Sequence, residues 1–79
     1  MQVANEKEIQ HFRQLLKRSG VVRTISAEDI DASDCSSMYR LLFDNWTGVP
    51  TPNLLLEYAK GTKPMPLVTY KKLVDVYLE

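Results

Sequence analysis

Residues 47–72 read TGVPTPNLLLEYAKGTKPMPLVTYKK, a stretch that holds all four prolines and two of the three glycines of the chain. Thr51 followed by Pro52 marks a helix start, because the threonine hydroxyl can accept from a free amide of the first turn and proline at the first helical position gives up no hydrogen bond. Gly61 marks the stop: a left-handed residue closes the last turn most easily as glycine, and Pro64 and Pro66 forbid continuation. The punctuation therefore predicts a helix over 52–60, a tight Gly-containing turn, and a restart at Pro66 or Leu67. Within 52–60 the three consecutive leucines point about 100° apart and cannot all face inward. Leu54, Tyr58 and one of Leu55 or Ala59 form the inward set, Leu56 tends to the rim, and Thr51, Asn53, Glu57 and Lys60 face out.

Working outward, residues 65–78 carry Leu67, Tyr70, Leu73, Val74 and Tyr77 at helical spacing, with Lys71 and Lys72 off the stripe. Val76 and Leu78 lie partly outside it, and either tuck under the first helix or face another subunit. Upstream, Met38, Leu41, Leu42 and Trp46 predict a helix over 37–46, capped from within 34–37, with Phe43 and Tyr39 widening its apolar face. Residues 6–19 read as an amphipathic helix with Ile9, Phe12, Leu15 and Leu16 inward, Asn5 as its cap and Gly20 as its stop. Residues 1–5 have no periodic pattern and are expected to fray. Residues 21–25 fit a linker or a brief strand, and Ser26 caps at most one or two turns before an acidic connector.

Seventy-nine residues make one domain, 1–79, whose single core supplies only a modest surplus over chain entropy. At 44% apolar and 25% charged the composition is that of a globular chain rather than a disordered one. No apolar run approaches the ~20 residues needed to span a bilayer, and no signal-peptide core precedes the first helix, so the expected location is cytoplasmic with no membrane contact. The lone Cys35 excludes an internal disulfide and fits a reducing compartment. Helical periodicity throughout gives an all-α fold, a small bundle of four to five helices.

Net charge is zero, but the charges are segregated. Arg13, Lys17, Arg18 and Arg23 occupy 13–23 without an acid; Lys60, Lys63, Lys71 and Lys72 occupy 60–72 without an acid; Glu28, Asp29, Asp31 and Asp34 occupy 26–35 without a base. If the two basic segments meet in space they form one cationic face able to engage phosphates; if not, they are solvated helix faces.

The run Thr47-Gly48-Val49-Pro50, then Leu54, Tyr58 and Gly61, then Lys63-Pro64-Met65-Pro66 followed by Leu67, Tyr70 and Leu73, resembles the back half of a lambda-repressor/Cro-type (Xre-like) helix-turn-helix domain. The resemblance covers residues 47–73. It implies that the helix ending at Trp46 crosses a DNA backbone while 52–60 enters the major groove, and that such proteins act as homodimers on paired half-sites. In that frame the DNA-facing residues are Thr51, Asn53, Glu57, Lys60, Thr62, Lys63, Lys71 and Lys72: Asn53 is suited to adenine, the lysines to guanine or phosphate, and Glu57 to cytosine.

Other chemistry is absent from the sequence. There is no phosphate-binding glycine loop, nucleophile elbow, HExxH or CxxC, and the single His11 and single Cys35 leave too little for a triad or a zinc site. Asp29-x-Asp31-x-x-Asp34 lacks the glycine and terminal glutamate of a calcium loop. No enzyme activity, cofactor or metal is expected. Two functions follow as expectations: a small sequence-specific regulator binding double-stranded DNA, or a helical adaptor or inhibitor that uses the leucine-rich helix or the acidic segment against a protein partner.

Overall fold

The computed structural model describes residues 2–17 and 24–77, which form four α-helices and one 3-10 turn with no strand among them. Helix α1 spans Glu6–Lys17, the 3-10 turn Ala27–Asp29, α2 Ala32–Leu42, α3 Pro52–Lys60 and α4 Leu67–Tyr77. The chain is an all-α bundle.

Helix α1 starts where Asn5 predicts. Its side chain accepts from the Glu8 amide at 2.9 Å while the Glu8 carboxylate accepts from the Asn5 amide at 2.8 Å, a reciprocal cap that satisfies two otherwise unpaired donors. The Gly20 stop lies outside the described residues. Residues 2–5, expected to fray, are instead held in place: the Ala4 amide donates to the Met65 carbonyl at 2.8 Å and the Leu67 amide to the Gln2 carbonyl at 3.0 Å. This antiparallel bridge, centred on Val3 and Pro66, fastens the segment before α1 to the link before α4. Periodicity could not reveal it, because the bonds are between main-chain groups more than sixty positions apart.

The largest correction concerns α2. Predicted over 37–46, it begins at Ala32 and ends at Leu42. The acids of 26–35 are helix starts rather than a connector. Asp31 accepts from the Asp34 amide at 3.0 Å and Asp34 accepts from the Asp31 amide at 3.1 Å, again a reciprocal cap. One turn earlier, Asp29 accepts from the Ser26 amide at 3.0 Å. With the helix shifted, its inward stripe is Cys35, Met38 and Leu42, while Leu41 and Phe43, placed inward by the sequence reading, are half exposed.

Helix α3 matches its punctuation at both ends. Thr51 Oγ1 accepts from the Leu54 amide at 3.3 Å, and Gly61 takes φ +79° so that its amide and that of Thr62 reach back to the last-turn carbonyls of Tyr58 and Glu57. Its inward side is Leu55, Tyr58 and Ala59, with Leu54 and Leu56 at the rim.

The core gathers Phe12 and Leu16 from α1, Ile25 and Ile30 around the 3-10 turn, Cys35, Met38 and Leu42 from α2, Leu55, Tyr58 and Ala59 from α3, Met65 from the link, and Leu73 and Val76 from α4. Each large side chain sealed there contributes about 1.5–3 kcal/mol relative to exposure. Val76 is therefore used inside the molecule, not offered to a second subunit; Leu78 lies outside the described residues. Helix α3 packs chiefly on α2, α1 lies across both, and α4 rests on α2.

Polar side chains tie these layers. Gln10 pairs with both main-chain groups of Ile25, donating to its carbonyl at 2.7 Å and accepting from its amide at 3.0 Å. His11 Nδ1 and the Tyr70 hydroxyl lie 2.6 Å apart, joining α1 to α4. Burial, with Glu8 nearby, raises the Tyr70 pKa, which keeps that hydroxyl protonated.

Candidate nucleic-acid interface

The part of the chain that the resemblance reads as a helix-turn-helix is α2, residues 43–51 and α3. The connection bends at Gly48, which sits at φ +89°, a region that side-chain-bearing residues rarely adopt, and the Val49 amide closes a turn onto the Trp46 carbonyl at 3.2 Å. Pro50 is buried beneath it, and Trp46 and Val49 pack partly against the core, so the direction in which α3 leaves the turn is fixed by packing.

Because Leu55, Tyr58 and Ala59 face inward, the opposite face of α3 presents Asn53, Glu57 and Lys60, spaced four and then three apart. Asn53 is exposed, and its amide makes no hydrogen bond among the described residues. Thr51 is exposed too, although its hydroxyl oxygen is engaged as the helix cap. At the far end the Thr62 hydroxyl donates to the Glu57 carbonyl at 3.3 Å, and Lys63 Nζ lies 3.4 Å from the Glu57 carboxylate. The sequence reading did not pair these last two. The ion pair is well exposed on both sides, so it is weak, but it masks one negative charge on the outward face with one of the expected phosphate ligands.

The described cations of the first basic segment are spent on other partners rather than on an open cationic face. Arg13 Nε donates to the Ala59 carbonyl at 2.7 Å and its Nη1 to the Ile25 carbonyl at 3.2 Å, so this guanidinium clamps the C-terminal end of α3. The position suits a cation, since unpaired carbonyls gather there. Lys17 pairs with Asp34 at 3.1 Å. Arg18 and Arg23 lie outside the described residues. Glu28 lies in the turn packed on α3, and its pKa is lowered, first by main-chain and Ser26 hydrogen bonds and also by the charge of Lys60. At the C-terminal end of α3 and just beyond it, Lys60 and Lys63 are exposed, as is Arg40 in the last turn of α2.

Lys71 and Lys72 are exposed on α4, and Lys72 borders an open depression of about 520 Å³ lined also by Asn45, Trp46, Thr47, Val68 and Thr69. This depression escaped the sequence reading. Its one legible signal is Val68, an apolar residue off the α4 stripe that ends up 72% exposed.

Among the described residues no group of three or more His, Cys, Asp or Glu side chains is arranged to hold a metal ion, and no helix is long and apolar enough to cross a membrane. Cys35 is fully buried and its thiol is pushed up to about 11, mainly by burial and further by Asp34 and Asp31. A thiol so placed is a core side chain rather than a nucleophile. In comparison with known proteins the chain matches no family model, no curated protein and no solved structure.

Proposed function

We propose that the chain is a small DNA-binding regulator that inserts α3 into the major groove. The observation that carries this reading is the outward edge of α3: Asn53, Glu57 and Lys60 in register on a helix capped at both ends, with the Asn53 side-chain amide making no hydrogen bond among the described residues. An asparagine in that setting can pair bidentately with adenine, while Lys60 and Lys63 reach guanine or phosphate and Lys71 and Lys72 add flanking phosphate contacts. Thr51 and Thr62 stand exposed at the two ends of α3. Action as a homodimer on paired half-sites belongs to the same proposal, and sedimentation with and without duplex tests it.

The test is a salt titration on duplex DNA. With ~4 lysine-phosphate contacts, log affinity is expected to fall with log salt at about −0.9 per contact. Asn53→Ala is expected to relax sequence preference, and Lys60→Ala to weaken all sequences alike and to flatten the salt slope by roughly one contact.

A second reading, a helical adaptor or inhibitor for a protein partner, is favoured by one feature: Leu41, Phe43 and Val68 are large apolar side chains at least 48% exposed on a chain without net charge. Absence of duplex binding at low salt would put this reading first.

A further inference from the structure

Two depressions flank Val68 on α4. One is the Trp46 depression bordered by Lys72; the other, about 350 Å³, is lined by Gln2, Leu67, Val68 and Lys71. Lys71 and Lys72 follow Val68 by three and four positions, the spacing of nearest neighbours on a helix surface, so an exposed apolar side chain lies one turn before two exposed cations on the same face. Among the described residues neither depression has an acidic side chain in its lining, and Asp75, one turn further on, borders neither. Among the described residues of the two linings the charges are positive, beside the apolar surfaces of Trp46, Leu67 and Val68.

We propose that this strip of α4 docks an acidic protein segment, one that lays an apolar side chain beside Val68 and Trp46 while its carboxylates meet Lys71 and Lys72. Charge complementarity selects the occupant. A second copy of this chain, paired through α4 about a two-fold axis, would bring the same patch from both sides and gather four lysines into one interface, with the Asp75 carboxylates as the described acids of α4 to answer them. A phosphate backbone would satisfy the lysines yet leave Val68 and Trp46 wet. An acidic amphipathic segment answers both parts of the surface. The site does not depend on DNA recognition by α3, although both ligands would use Lys71 and Lys72 and so exclude one another.

Trp46 is the one tryptophan of the chain, partly exposed in the depression, and therefore a built-in reporter. The probe is a tryptophan-free amphipathic peptide with glutamates flanking leucines, titrated while Trp46 emission is read. Saturable binding is expected, tighter than about 1 mM. The Lys71→Glu/Lys72→Glu pair and, separately, Val68→Asp should each weaken it at least about tenfold with helical content unchanged, as all three side chains face solvent. Peptides with Gln for Glu, or Ser for Leu, should lose binding equally. The proposal is overturned if no saturable change occurs, if the serine peptide binds as well as the leucine peptide, or if the substitutions leave affinity intact. It is also overturned if a short duplex, and not the peptide, perturbs Trp46 in a lysine-dependent way, which would make the strip a phosphate surface.

Discussion

A single carboxylate, that of Glu57, governs how α3 can meet a polyanion. It faces outward between Asn53 and Lys60 and holds Lys63 at 3.4 Å. On the DNA reading, Glu57→Gln removes a charge that repels phosphate and releases a lysine that attracts it. Duplex affinity is expected to rise about three- to tenfold at low salt, and the gain should shrink as salt is added. A fall in affinity, confined to sequences with cytosine at one position, would instead assign Glu57 to base recognition. Arg13 is the reverse case. Its charge was visible in the sequence, its commitment was not: the two carbonyls it binds belong to Ile25 and Ala59, and no local pattern relates a residue of α1 to an acceptor forty-six positions away.

At the scale of the element, the helices differ in how legible they were. The ends of helix α3 were readable to the residue because Thr51, Pro52 and Gly61 act on their immediate neighbours, whereas its inward set was not: Leu54, read as inward, sits at the rim, and both Leu55 and Ala59 are buried. Helix α2 was misplaced by five residues at its start because Asp occupies its third position, where Glu or Gln is the usual sign of a reciprocal cap, and the acids looked like a connector. That cap has a pH signature. The Asp31 pKa is lowered below its ordinary 3.8, chiefly by the hydrogen bond from the Asp34 amide and further by Lys17. A carboxylate more acidic in the folded chain stabilises it fully above the unfolded value, and the contribution is lost as pH falls through the lower folded value. Asp31→Asn keeps an acceptor at the cap without a titrating group. The native chain should therefore melt at a higher temperature than Asp31→Asn near neutral pH, and the gap should close as acid carries the pH below 3.8 and through the lower folded value. A gap that persists there would show that the Asp31 charge does not support α2.

For the molecule as a whole, thirteen buried side chains form one cluster to which all four helices contribute. A core so shared predicts unfolding in one step. Cys35 reports on it: at 0% exposure, with its thiol raised to about 11, it should resist alkylation at pH 8 and react only through opening. Across a urea series the labelling rate is expected to track the unfolding constant measured by circular dichroism. Fast labelling in native buffer would mean that α2 opens alone. The bridge between residues 2–4 and 65–67 bears on how the protein is handled. Gln2 borders one of the two α4 depressions, so a purification tag fused ahead of it emerges beside Lys71. A negatively charged tag placed there would act as a tethered competitor for that lysine and suppress the very binding an assay was built to detect.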